Sequence, residues 1–134
     1  MNKARKGFTL IEMLIVVGII GIIVAIAVPA LSTSMTDARQ AKIDAYISQL
    51  NTALNRYVID QEVKNSQVAL TDVESGWDSI KMYLTIKGST NVTYAEFEAA
   101  VCNNGAATIT GGAVAWTDDV ATVTGVSSIT CAAN

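Results

Sequence analysis

Few residues here are able to do chemistry. The 134-residue chain has no histidine, two cysteines (Cys102 and Cys131) and one carboxylate, Glu12, inside a long apolar run. No nucleophile–base pair is in view, so the chain is read as non-enzymatic and without a cofactor. Two thiols with no histidine make a poor metal site, so no metal is expected. Asp118-Asp119 offers adjacent carboxylates for calcium, but a hairpin turn between Thr- and Val-rich runs explains them more simply. Asn91-Val92-Thr93 matches a glycosylation triplet, while Thr93 has a plainer use as a helix N-cap. What remains is Glu12 and the thiol pair. Each takes its meaning from the element that carries it.

Glu12 lies in residues 8–28, FTLIEMLIVVGIIGIIVAIAV, where it is the only charge. About 20 mostly apolar residues cross a bilayer as a helix, so this stretch is long enough. Lys3, Arg5 and Lys6 precede it with no acid among them, which keeps this end in the cytoplasm and exports the remainder. Without residues 1–7, six basic side chains would face twelve acidic ones. Such an exported domain has no basic patch for phosphates, which argues against nucleic acid as a partner of the isolated subunit. In an oxidising compartment the two thiols are expected to pair as Cys102–Cys131. That bond closes a loop of 28 intervening residues, worth roughly 3–4 kcal/mol in the chain-entropy model.

Past the apolar run stands Pro29, the sole proline. Helical periodicity resumes at once, so Pro29 should kink or loosen the helix and not end it. Ile43, Ile47, Leu50, Leu54 and Tyr57 recur at steps of four, three, four and three, one face of an amphipathic helix. Residues 8–59 would then form one helix about 78 Å long. Residues 60–75 read as a connection, and residues 77–84 as a short helix or a turn. Thr93 with Glu96 resembles a capping box opening a helix YAEFEAAVC. Residues 107–110, 113–117 and 120–124 have strand character, with Gly111-Gly112 and Asp118-Asp119 as two-residue turns, and residues 127–131 add a possible fourth strand. The two tryptophans, Trp77 and Trp116, are read as core or interface anchors. The fold class expected is α+β: a long N-terminal helix packed on a small antiparallel β-meander.

The stretch Lys6-Gly7-Phe8-Thr9-Leu10-Ile11-Glu12 resembles the class III signal of type IV prepilins and of their relatives, the type II secretion pseudopilins and competence pilins. The likeness is sharpest from Lys6 to Pro29. It implies cleavage between Gly7 and Phe8 by a prepilin peptidase that also N-methylates Phe8, and it gives Glu12 a part in subunit assembly. Gly21 and Pro29 become the place where the helix kinks or melts. The resulting division is a cleaved leader (1–7), a transmembrane and filament-core segment (8–29), and an exported domain (30–134). That domain comprises an amphipathic helix (30–59), a connecting region (60–105) and a meander (106–134).

The function implied is a structural subunit of a type IV pilus-like filament. Its partners are copies of itself, the peptidase, inner-membrane assembly machinery and, before assembly, membrane lipid. The localisation implied is the bacterial inner membrane as a single-pass precursor, then an extracellular pilus. A secretion pseudopilin, or a minor or tip pilin for adhesion or DNA uptake, is the alternative. Two plainer readings are disfavoured. Ala25-Ile26-Ala27 could end a secretory signal peptide, but the apolar run exceeds the usual 7–15 residues and contains a glutamate. A simple membrane anchor leaves Glu12 without a reason, since an intramembrane acid costs a few kcal/mol.

Overall fold

The computed structural model describes residues 8–86, 88–103 and 105–132. The leader, Gly7 included, and Lys87 lie outside the described residues. The first element is a single α-helix, α1, Leu10–Val63. Pro29 does not interrupt it. The helix runs four residues beyond the expected end because its stop signal is Asn65, not the loss of periodicity. Asn65 adopts a left-handed φ of 51°, and Ser66 N–H donates back to the Gln61 carbonyl at 2.9 Å. This is the geometry in which an αL residue satisfies the last free carbonyls of a helix.

The chain divides into two units, one ending at Gln40 and the other beginning at Ala41. In the second, α1 supplies Leu50, Ala53, Leu54, Tyr57 and Val58 to the core, with Ile43, Tyr46 and Ile47 half-buried beside them. The expected stripe is thus the buried face. Residues 77–83 form a short helix α2, Trp77–Ile80, and then one 3-10 turn. Two short strands follow, β1 (Thr85–Ile86) and β2 (Ser89–Thr90), paired antiparallel. Helix α3 covers Tyr94–Cys102, and Thr93 and Glu96 form the expected reciprocal capping box. Trp77 is buried, donates from Nε1 to the Val92 carbonyl at 2.8 Å, and packs edge-on against Tyr94 and tilted against Phe97.

The C-terminal strands depart from the expected meander. They form one long hairpin, β3 (Ala107–Thr117) and β4 (Val120–Cys131), antiparallel. Its turn is Asp118-Asp119, with φ of 49° and 64°, the positive pair a type I′ turn requires. Gly111-Gly112 is not a turn. It lies inside β3, where the register slips between Thr110↔Ser128 and Gly111↔Val126, a β-bulge. Both glycines have φ near +90°. A Cβ on Gly111 would sit 2.3 Å from the Gly125 carbonyl oxygen, and one on Gly112 would sit 2.2 Å from Val73 Cγ2. Glycine is required there by close packing, not by chain reversal.

The bulge also explains Asn51. The helical pattern sets it largely off the apolar stripe, yet it is half-buried and tied to β4. Its Nδ2 donates to the Val126 carbonyl at 3.1 Å, and Val126 N–H donates to its Oδ1 at 2.7 Å. The side-chain amide thus takes the place of a neighbouring strand and satisfies both backbone groups of Val126. Replacing Asn51 with Ala removes both bonds and is expected to lower stability by about 1–3 kcal/mol, read from urea unfolding. Asn51→Asp, which keeps only the acceptor, should be intermediate or worse. Wild-type stability in Asn51→Ala would show that water replaces the amide.

The connection after α1 is held by the same hairpin. Leu70 and Val114 exchange two backbone hydrogen bonds of 2.9 Å. The Val68 carbonyl accepts from Tyr57 Oη at 2.9 Å and from Trp116 Nε1 at 3.3 Å. Burial pushes the Tyr83 phenol up to about 12, with Asp60 adding to the shift, and burial does the same to Tyr94, helped by nearby Glu74. A phenol with a raised folded-state pKa stabilises the fold fully below its ordinary value of 10.0 and loses that contribution as pH rises through about 12. Tyrosinate absorbance should therefore lag a model compound above pH 10, and thermal stability should fall over the same interval. Titration of every phenol at the model-compound pH would contradict this.

Candidate functional site

The expected site residues divide between the two units. Phe8, Glu12, Gly21 and Pro29 belong to the first; Cys102 and Cys131 belong to the second. In the first unit every described residue through Gln40 is exposed. Its large apolar side chains from Phe8 to Val28 range from 47% exposed at Val16 to 82% at Leu10. The best window of α1 reaches a mean hydropathy of 3.0, so the helix is long and apolar enough to cross a membrane. Fully covering each such side chain is worth roughly 1.5–3 kcal/mol. Summed over this segment, the effect exceeds the ~5–15 kcal/mol that holds a whole domain folded. Bare in water, the segment is untenable.

Among the described residues, nothing packs against the glycines of that surface. A Cβ on Gly18 or Gly21 would meet no atom within 4 Å. Pro29 has no N–H, so the Ala25 carbonyl one turn earlier has no helical donor. On the other side of the proline, Ser32 Oγ donates to the Pro29 carbonyl at 2.9 Å, Ser34 Oγ to Ala30 at 3.1 Å and Thr36 Oγ1 to Ser32 at 3.1 Å. Such back-bonding by hydroxyls slightly weakens and bends helices. Two glycines, a proline and a serine–threonine run thus lower the helical preference of residues 18–36 without breaking the helix.

At the start of α1 the structure reveals a second capping box. Thr9 is the residue before the first helical one. Glu12 N–H donates to Thr9 Oγ1 at 3.4 Å, while Glu12 Oε2 accepts from Thr9 N–H at 3.3 Å and from Thr9 Oγ1 at 3.2 Å. The Thr-x-x-Glu spacing of Thr9 and Glu12 is the sequence signal for this cap. Glu12 is therefore local as well as exposed: it satisfies a backbone donor that would otherwise be bare in an apolar environment.

In the second unit, Cys102 at the end of α3 is joined to Cys131 at the end of β4, with their Cα atoms 5.4 Å apart. Around this bond, α3 side chains fasten the start of β3. Glu98 Oε1 accepts from Ala107 N–H at 2.9 Å, and Tyr94 Oη donates to the Ala107 carbonyl at 3.3 Å. Ala132 N–H donates to the Ala106 carbonyl at 2.9 Å, extending the pairing past the disulfide. Among the described residues, no group of three or more potential metal ligands converges.

An exposed apolar helix start, a carboxylate at its first turn and a disulfide-stapled second unit are the features to set beside known proteins. The family described as the Prokaryotic N-terminal methylation motif matches residues 2–28. The type IV major fimbrial protein FimA of Dichelobacter nodosus is 31% identical over 87% of this chain and 85% of its own length. The type IV major alpha-pilin of Moraxella bovis is 30% identical over 80% of this chain and 67% of its own. The type IV narrow pilus major component PilA5 of Thermus thermophilus is 52% identical over a shorter stretch, 36% of this chain and 41% of that protein. No solved structure matches the chain. The likeness to FimA extends over nearly the whole chain, both the exposed helix and the disulfide-stapled unit, and on that evidence the chain belongs to the type IV pilin family.

Proposed function

We infer that this chain is a structural subunit of a type IV pilus, made as a single-pass inner-membrane precursor and assembled into a surface filament through its N-terminal helix. The observation that carries the reading is the exposed apolar surface from Phe8 through the start of α1 to Val28. Lipid covers that face in the precursor, and the same faces of other copies cover it in the filament. Because neither state leaves it in water, transfer from one to the other is coupled to assembly.

The remaining roles follow from this. Cleavage falls between Gly7 and Phe8, and the new Phe8 amine is methylated by the same enzyme. Glu12 offers its carboxylate to the amine of an adjacent copy, fixing the axial register of one helix against the next. The helix loosens between Gly21 and Pro29 when lipid is replaced by packed neighbours, since freed backbone groups are tolerable only where something re-satisfies them. Catalysis has no part in this, and the partners are other copies, the peptidase and the assembly machinery.

Mass spectrometry of filaments sheared from cells tests the reading directly. The expected result is this chain as a filament component whose N-terminal peptide begins at methylated Phe8. A mature chain beginning at Val28, recovered only as a dispersed exported protein, would overturn it.

A further inference from the structure

In the second unit, α1 turns Leu50, Leu54 and Tyr57 to the core. Its opposite side carries Thr52, Arg56, Ile59 and Val63, which recur at steps of four, three and four and so share one face. Ile59 is 59% exposed and Val63 81% exposed, although both are large and apolar. A single exposed aliphatic is ordinary on a protein surface. These two stand one turn apart, and charge flanks them in an ordered way.

The two flanks of that ridge have opposite sign. On one, a groove of about 260 Å³ between α1 and the segment after α2 is lined by Arg56 with Ser48, Gln49, Thr52, Tyr83 and Thr85, and no acid lines it. On the other, a groove of about 310 Å³ beside the hairpin turn is lined by Glu62, Trp116 and Asp119, and no base lines it. Lys64 and Lys81 are paired within the chain with Asp60 and Asp78. Arg56 and Glu62 have no hydrogen bond or ion pair among the described residues.

Helix geometry keeps these two apart in one chain. Glu62 lies six residues beyond Arg56, about 9 Å along the axis and about 120° around it. That is outside the three- or four-residue spacing at which helical side chains meet. A second copy has no such limit. Opposite charges on different flanks make a head-to-tail contact, in which each copy offers one flank to one neighbour and the other flank to the next. The offset needed is about 9 Å along α1, in the same direction as the proposed contact of the Phe8 amine with Glu12, which needs about 6 Å. Long side chains span the difference.

Resting on the filament role proposed for this chain, we propose that Arg56 of one copy pairs with Glu62 of the next, with Ile59 and Val63 packed beside the pair, as a second contact that selects the incoming copy and its register. Charge complementarity is the reason for naming a second copy as the partner. Outside residues 1–7 the chain has six basic and twelve acidic side chains, so its copies repel one another unless specific pairs are aligned. Across an interface, such pairs reward the matched partner and penalise the mismatched one more than they add raw affinity.

Charge exchange in cells that make only one form of the chain tests this. Arg56→Glu alone and Glu62→Arg alone should each lower the yield of sheared filament by about tenfold, with the melting temperature of the detergent-held chain unchanged. The double variant, Arg56→Glu with Glu62→Arg, should recover most of the yield, since the pair is restored with its sign reversed. A second measurement does not depend on reversing charge. Because Cys102 and Cys131 are bonded to each other, an introduced thiol reacts alone. Chains with Arg56→Cys and chains with Glu62→Cys, expressed together with wild type, should be joined into dimers in sheared filaments by a short bismaleimide, and neither variant should be without the other. Wild-type yield from both single reversals, no recovery in the double variant, or no dimer from the mixed cysteine chains would each overturn the contact while leaving the filament role standing. Absence of the wild-type chain from sheared filaments would overturn the filament role and this contact with it.

Discussion

Cells whose only copy carries Glu12→Val are expected to insert and cleave the chain normally and yet to display almost no filament. In the proposed filament, the Phe8 amine of one copy is buried against Glu12 of the next. Removing the carboxylate leaves that amine unpaired in an apolar core, a penalty of about 3–5 kcal/mol for a broken buried pair. That is a hundredfold or more in each addition step. The capping box complicates the reading of Glu12→Val, because valine also strips the cap from Thr9. Loss of a cap alone costs about 1 kcal/mol.

Glu12→Gln separates the two effects. Glutamine can still reach back to the Thr9 N–H, since either Glu or Gln completes a capping box. It carries no charge for the amine. If pairing between copies is the role, Glu12→Gln should fail nearly as badly as Glu12→Val. If capping is the whole role, it should assemble like wild type. Immunoblots of sheared and cell-bound fractions, with electron microscopy of the surface, read the difference. In cells that also express wild type, either variant should enter filaments at reduced frequency. Abundant filaments of normal length from Glu12→Gln alone would exclude the charge-pairing role.

The second large effect is expected on stability. Cys131→Ser opens the loop that joins the end of α3 to the end of β4 and should destabilise the second unit by roughly 3–4 kcal/mol. Urea unfolding under non-reducing conditions measures it as a lowered midpoint at an unchanged slope. The bonds of Glu98 and Tyr94 to Ala107 lie within that loop and do not depend on the sulfurs. Partial order at the start of β3 should therefore survive. Membrane insertion should be unaffected, because α1 carries it, while filament yield should drop as the unfolded fraction grows. Equal stability of Cys131→Ser and wild type would mean that these hydrogen bonds hold the hairpin without the disulfide.

Local chemistry was enough for much of this protein. Apolar length identified a helix long and apolar enough to cross a membrane. The period of Ile43, Ile47, Leu50, Leu54 and Tyr57 identified the face that is now buried or half-buried. Thr93 with Glu96 marked the start of α3 to the residue. Each of these signals acts within one or two turns of backbone, so sequence neighbours contain the whole cause. The second capping box, Thr9 with Glu12, was equally local and equally legible.

The hairpin was of another kind. Gly111-Gly112 and Asp118-Asp119 can both supply the positive φ values a tight turn needs, and glycine does so with less strain. What decided between them lies far away in the chain. Gly112 is closed in by Val73, Leu70 pairs with Val114 across β3, and Asn51 takes up the backbone of Val126 at the bulge. Those contacts favour β3 running straight through the glycines. The chain therefore reverses at the aspartates, where Gln67 meets Asp119 and Trp116 closes the groove. A turn is a local conformation, but which of two permissive dipeptides becomes one depends on what the flanking strands bury. Only the packed core of the second unit contains that information.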